Sequence, residues 1–409
     1  MSQAKHDPVQ DALAEMSDLS LEKHLQSPKT SMPTWMRAVI AILALYAFIA
    51  SVKMIGTGLK TTVKDEAGQR VQTWLLDQVD DPLTGLFVGL LLTSMVQSSS
   101  FTTALTVGLV GDQILPRHAA IPIIMGANIG TSVTNILVSL AHVRRRLEFR
   151  RSLGGAIVHD FFNVLCVLLF MPLEMAFGII SRPVDFLHDK LAGLSFFKAD
   201  PTESIGFIKQ AFALPGKSLN SLMTETLSLP RTWGGLIVSV FAMVLLFLAL
   251  WLLVKMLRGL MEDRLSGALS KTLFRNPPIA FLVGIVMTIA VQSSSVTTSL
   301  VVPLVGAGIL KIRQIYPYTL GANIGTTITG LLAGLGGGTP QGVACALGHL
   351  LFNVLGTIVF WPLQFIPISL AKGFAKMASR RRLLAAFYIL FVFFVVPIVA
   401  IVISYYIRN

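Results

Sequence analysis

The sequence predicts an all-α polytopic membrane protein built from two inverted repeats, each with a re-entrant helical hairpin and discontinuous helices. Three observations carry this reading. Of 409 residues, 54% are hydrophobic and only 13% are charged, with a mean hydropathy of +0.71. Soluble domains carry about 25% charged residues, so an ordinary soluble enzyme and a disordered chain are both excluded. Apolar runs of about 20 residues recur, the length that a bilayer core demands. The chain also repeats itself in fixed register.

In chain order, residues 1–37 read as a polar cytosolic tail with a short amphipathic helix around Leu13 to Leu25. No cleavable signal peptide is expected, because the first apolar run starts only near Arg37. Run 38–57 predicts a spanning helix, and 58–82 is polar. Stretch 83–110 is apolar but broken by Gln97-Ser98-Ser99-Ser100, which predicts a hairpin. Runs 119–141 and 153–173 complete a first repeat over 38–180. Polar residues 181–232 read as an external linker. The second repeat, 233–370, has runs at 233–254, 278–310, 314–334 and 343–368, and 278–310 is broken by Gln292-Ser293-Ser294-Ser295. Residues 371–409 supply a basic loop and an extra C-terminal spanning helix, 383–406. Cys166 and Cys345 lie inside apolar runs, so neither a structural disulfide nor a thiolate metal site is expected.

The repeat is specific. Gln97 maps to Gln292, Pro82 to Pro277, Gly89 to Gly284 and Thr93 to Thr288, all at one offset. Gly126-Ala127-Asn128-Ile129-Gly130-Thr131 recurs unchanged at 321–326. Further on, His159, Phe162, Asn163 and Pro172 map to His349, Phe352, Asn353 and Pro362. Loop charges set the orientation. Loop 142–151 holds five arginines, while its counterpart 335–342 is uncharged. The segment before the second hairpin is basic, and its counterpart carries Asp65, Glu66, Asp77, Asp80 and Asp81. Equivalent loops therefore face opposite sides, and the N-terminus is cytoplasmic. The net charge of +12 is loop charge of this kind, and no nucleic-acid partner is expected.

Broken backbone survives inside a membrane only where it lines a polar site. Gln97, Ser98, Ser99 and Ser100, with Gln292, Ser293, Ser294 and Ser295, offer hydroxyls, amides and N–H groups at half-helix starts, which suit an oxyanion. Asn128, Thr131, Asn323 and Thr326 offer amide and hydroxyl oxygens, with unwound carbonyls, which suit a hard cation such as sodium. Asn163 and Asn353 are further candidates, as are Thr297 and Thr298. Asp160, the one acid in its run, is a functional candidate by its cost alone, with a structural pair to His159 as the bland reading. His159 and His349 are expected to satisfy backbone acceptors. No Arg or Lys lies within either hairpin or within 119–141 and 314–334. A dianion there lacks a countercharge, and helix N-termini give only about 0.5 charge each. Bound cations must supply the rest, so cation-coupled anion transport is expected, with no cofactor beyond the coupling cation.

These motifs resemble the type II sodium–phosphate cotransporter family. The carriers are the two Gln-Ser-Ser-Ser runs with Thr102-Thr103 and Thr297-Thr298, both Gly-Ala-Asn-Ile-Gly-Thr segments, and Val158-His159-Asp160-Phe161-Phe162-Asn163. The resemblance implies a scaffold and a moving transport region, with phosphate and sodium at the hairpin tips. An acid at Asp160 resembles the electrogenic, divalent-phosphate type. Linker 181–232 lacks cysteine and Asn-x-Ser/Thr, which implies a bacterial, inner-membrane form. His142 and Arg145 stand where the animal pattern has Gln and Asp. The alternatives are another oxyanion (arsenate or sulfate), a passive anion channel, and an intramembrane serine hydrolase using a serine of the 97–100 run with His159 and Asp160. Lipid bilayer, phosphate and sodium are the expected partners, and a homodimer is compatible with them.

Overall fold

The computed structural model describes residues 32–194, 204–268 and 273–408. The expected helix around Leu13 to Leu25 lies outside them. Among the described residues there is no strand, and six helices are long and apolar enough to cross a membrane. The chain is a multi-pass helical membrane protein.

The first repeat opens with α1 (Thr34–Thr62) and α2 (Glu66–Val79). Helix α1 runs past the expected end at 57, because Lys60 finds Asp112 at 2.8 Å and its polar last turn need not fray. Segment 58–82 is not a bare polar loop, since α2 is an amphipathic helix capped by Asp65. Thr232 donates hydroxyl and amide to the same carboxylate, and with the Gly68 amide this holds its carboxyl below the usual range. Asp65 thereby ties the α1–α2 corner to the start of α10 (Arg231–Ala268). Helices α1 and α10 form the most extensive helix pair, with Arg37 donating to the Gly259 carbonyl at the far end.

Two short apolar helices, α3 (Pro82–Val96) and α4 (Ser99–Gly111), flank the Gln97-Ser98 turn of the hairpin. Then come α5 (Arg117–Gly130), α6 (Ser132–Leu140) and α7 (Arg146–Phe177). Helix α7 exceeds its apolar run at both ends, since arginines in its first turn are helical at the water boundary. Residues 181–232 are more than a linker. Helix α8 (Ser181–Ala192) starts where Glu174 accepts the amides of Ile180 and Ser181, and buries Val184. Helix α9 (Ser204–Ser221) packs on α1. Their charges mask an amphipathic pattern that mean polarity does not reveal.

The second repeat follows α10 with hairpin α11 (Pro277–Val291) and α12 (Ser294–Gly306), then α13 (Ile312–Gly337), α14 (Pro340–Phe360) and α15 (Phe365–Ala378). The C-terminal helix runs as α16 (Leu383–Leu390), a π turn and α17 (Val396–Arg408). It is not detached: Thr84 donates to Ser404 at 2.7 Å. Among the described residues three buried clusters form, the smallest of them Ala41 and Ala44 of α1 against Leu253 and Met256 of α10. Of the two larger, one centres on α7, α13 and α14, and one on α1, α4, α5 and α10.

Each hairpin's first arm lies backbone-to-backbone on the Gly-Ala-Asn helix behind it. A Cβ on Gly126 would sit 1.9 Å from the Leu86 carbonyl oxygen, and one on Gly321 would sit 2.0 Å from that of Phe281. Small residues permit this close approach where lipid supplies no hydrophobic drive. Gly126→Ala and Gly321→Ala are each expected to lower stability by about 1–3 kcal/mol or more, read as a drop in melting temperature of the purified protein. Unchanged melting would show that the arms separate freely.

Candidate functional site

The left-handed turns come first. Gln97 (φ 59°) and Gln292 (φ 57°) end the first arm of each hairpin in a conformation that L residues rarely adopt. Each side chain compensates locally. Gln97 Nε2 donates to the Ser94 carbonyl, and its Oε1 accepts from Thr134 at 2.8 Å. Gln292 repeats this with Ile289 and Thr329, at 2.6 and 2.9 Å. Ser98 and Ser293 are the N-caps of the return arms, accepting from Phe101 N at 3.2 Å and Val296 N at 3.3 Å. So four of the eight expected anion ligands hold the turns in shape.

The other four face inward. Ser99, Ser100, Ser294 and Ser295 are 2–6% exposed and open the first turns of α4 and α12, where backbone N–H groups lack helical partners. Ser100 Oγ donates to the Gln292 carbonyl at 3.3 Å, so the two tips meet. The arrangement presents hydroxyls, N–H groups and two positive helix ends to one place, with no basic side chain in any of the four helical arms.

Behind the tips four of the candidate cation ligands, Asn128, Asn163, Asn323 and Asn353, gather into a clasp between the repeats. Asn128 Nδ2 donates to Asn353 Oδ1 at 3.0 Å, and Asn323 Nδ2 donates to Asn163 Oδ1 at 2.7 Å. His349 Nε2 meets Asn128 Oδ1 at 3.1 Å, and His159 Nε2 meets Asn323 Oδ1 at 2.6 Å. Against amide oxygens, both imidazoles donate. The expectation that these histidines serve backbone acceptors is corrected: each reaches a side chain in the other repeat. Nor are the Gly-Ala-Asn-Ile-Gly-Thr carbonyls unwound. The second segment is helical throughout and the first is helical through Gly130, with Thr131 in an αR junction between α5 and α6, and the hydroxyls of Thr131 and Thr326 bond back to Ala127 and Ala322. All four asparagines are at most 4% exposed, and their amide oxygens are occupied by internal donors.

Asp160 stands apart. Adjacent helix positions diverge by about 100°, so His159 points to the clasp while Asp160 does not, and the two do not pair. Asp160 Oδ2 instead accepts from the hydroxyl of Tyr388, on α16. The Ser132 hydroxyl lies within hydrogen-bonding reach of the same carboxylate, and neither it nor Asp160 Oδ1, both buried, has any other partner among the described residues. Buried oxygens with so few partners are uncommon.

Sequence reasoning missed Asn135, Ser132 and Tyr388. Asn135 exchanges hydrogen bonds with Thr298, at 2.9 and 3.1 Å. Thr297 bonds back to Ser293 O at 2.9 Å. In the other repeat Gly330 replaces Asn135, and Thr103 Oγ1, the equivalent of Thr298, is buried without a partner. One half of the site is thus polar where the other is bare: Asn135 corresponds to Gly330, and Asp160 corresponds to Leu350. An Asn matched by a Gly in an otherwise matched repeat is a signal that could have found it.

The profile of the Na+/Pi-cotransporter family matches residues 47–184 and 245–398, which include both hairpins and the whole clasp. The chain belongs to this family. Among Na+/Pi-cotransporter relatives, the sodium-dependent phosphate transport protein 2A of Rattus norvegicus is 32% identical, over 96% of this chain and 71% of that protein. Protein 2B of Pongo abelii is 32% identical over 88% of this chain, and protein 2B of Homo sapiens is 30% identical over 88%. The chain spans 64% of the length of either 2B protein. No solved structure matched this Na+/Pi-cotransporter family member.

Proposed function

We propose that the chain is a sodium-coupled importer of inorganic phosphate that works by alternating access between two inverted repeats. The observation that carries the reading is the meeting of two N-capped half-helix starts at Ser99-Ser100 and Ser294-Ser295 inside an uncharged apolar frame. Such a tip offers N–H and O–H donors to a tetrahedral oxyanion. It offers no fixed positive side chain, so cations must enter with the anion. Family membership and the relatives' names support phosphate and sodium as that pair. Asp160, whose buried carboxylate has only the hydroxyls of Tyr388 and Ser132 beside it, is our candidate for holding a charge-coupling sodium, which makes the cycle electrogenic. The glutamines and N-cap serines keep the tips shaped. We place the protein in the plasma membrane with its N-terminus cytoplasmic.

An enzymatic reading fares poorly on geometry. A serine hydrolase needs a nucleophile bonded to a base that a third group orients. His159 is bound to Asn323 and Asp160 to Tyr388, and among the described residues no hydroxyl of either serine run bonds a histidine.

The test is radiolabelled phosphate uptake into proteoliposomes with and without an inward sodium gradient. Uptake should require the gradient, and equal uptake without it would indicate a passive channel. Competition by arsenate or sulfate that exceeds that of phosphate would reassign the substrate. Inversion has its own test. Cys166 and Cys345 are buried, so introduced thiols report cleanly. In Gly337→Cys the thiol should react with an impermeant external reagent, and in Glu148→Cys it should not. Identical labelling of both would overturn the inversion.

A further inference from the structure

We propose that the cleft between the first turn of α7 and the start of α16 is a binding site for an anionic phospholipid. The cleft is open to its surroundings and measures about 850 Å³. Arg146 enters it from α7, and Arg380, Arg381 and Arg382 enter from the turn before α16. No acidic side chain lines it. Among the described residues none of these four guanidinium groups forms an ion pair with a carboxylate. The two segments are tethered where Arg382 Nη2 donates to the Arg144 carbonyl at 3.5 Å. The four guanidinium groups are exposed and of one sign, so they attract an anion to the space between them. Guanidinium groups grip phosphate oxygens in pairs.

The wall decides what kind of anion. Leu383 is 84% exposed and Phe387 is 58% exposed. Both flank the arginines in the same cleft and begin a 25-residue apolar helix able to span a bilayer. The arginines therefore sit at headgroup level, with hydrocarbon surface leading away from them. Free phosphate would use the cations and leave the wall bare. A phospholipid uses both, its phosphate on the arginines and its acyl chain along Leu383 and Phe387. Basic pockets between membrane helices recognise multiply charged headgroups in this way. A diphosphate lipid such as cardiolipin matches four cations best. The inference does not depend on the transport reading, because binding is measured without uptake.

The experiment uses the full chain, delipidated in an uncharged detergent, with tetraoleoyl cardiolipin as probe and dioleoyl phosphatidylcholine as the neutral comparison. Native mass spectrometry and thermal melting report binding. Cardiolipin should remain bound and raise the melting temperature, phosphatidylcholine should do neither, and excess inorganic phosphate should not displace it. In the triple variant Arg146→Gln/Arg380→Gln/Arg382→Gln, affinity should fall about a hundredfold, at roughly fivefold per basic group. The variant Arg275→Gln/Lys311→Gln, which alters basic residues outside the cleft, should bind like the native protein. Native-like binding by the triple variant would overturn the site. Displacement by inorganic phosphate would reassign it to a free oxyanion. If the triple variant does not fold, Arg146→Gln and Arg380→Gln singly must each weaken binding about fivefold, and no change in either would overturn the proposal.

Discussion

The double variant Ser99→Ala/Ser294→Ala is expected to lose phosphate uptake at concentrations that saturate the native protein. Both hydroxyls open half-helices whose tips touch, and neither bonds to another side chain among the described residues. Removing one leaves the turn intact, because Ser98 and Ser293 do the capping and Gln97 and Gln292 close the hairpins. The loss therefore falls on the ligand rather than on the fold. A hydrogen bond to a charged group is worth about 1.5–3 kcal/mol, so two together weaken the apparent affinity by about a hundredfold or more. Each single variant should show about ten- to hundredfold. The check is the concentration dependence of sodium-driven uptake, beside a melting curve that should not move. Native affinity in the double variant would make the serine runs packing elements and would sink the proposed anion site.

Asp160 gives the second large effect. Divalent phosphate carried with two sodium ions is electroneutral, and a third sodium moves one net charge per cycle. At about 2.3 kcal/mol per charge per 100 mV, an inside-negative potential of that size adds about fiftyfold to accumulation. Asp160→Asn removes the charge that would hold the third ion while keeping nearly the same shape. It should still transport phosphate, with little response to a potential set by potassium and valinomycin. Tyr388→Phe is the informative companion. It deletes the donor to Asp160 Oδ2 but keeps the carboxylate, so uptake should stay potential-dependent with an altered sodium affinity. Full voltage response in Asp160→Asn would remove this residue from charge coupling.

The hairpins were legible because two signals coincide there: four polar residues inside an apolar run, and the same four one repeat later. Their register places Gln97 and Gln292 at equivalent turns, as the structure has them. The division of labour within each run was not legible. Sequence cannot separate a capping hydroxyl such as Ser98 from an open one such as Ser99, because the difference lies in one backbone dihedral. The clasp was half legible. Asn163 and Asn353 stood out, but the partners of His159 and His349 lie in the opposite repeat, 164 and 221 residues away. Tyr388 was invisible for a different reason. It sits outside the repeat in a run of uniform hydrophobicity, and only the packing of α16 brings it to Asp160. Helices α8 and α9 were hidden by charges on their outer faces.

The clasp also constrains how the chain can be made. The Asn128 side chain, Asn163 Oδ1 and His159 Nε2 take their partners from Asn323, His349 and Asn353, so although Asn163 Nδ2 already bonds the Asn128 carbonyl, the first repeat enters the bilayer with these groups unmatched. Asn353 is synthesised 190 residues after Asn163, about 10–40 s later at ordinary ribosomal speeds. For that interval the nascent half carries buried polar groups that lipid cannot solvate. It must be sheltered beside the insertion machinery or stay partly exposed to water until its twin arrives. A ribosome stalled between the halves would strand a fragment marked for degradation by its own unpaired asparagines.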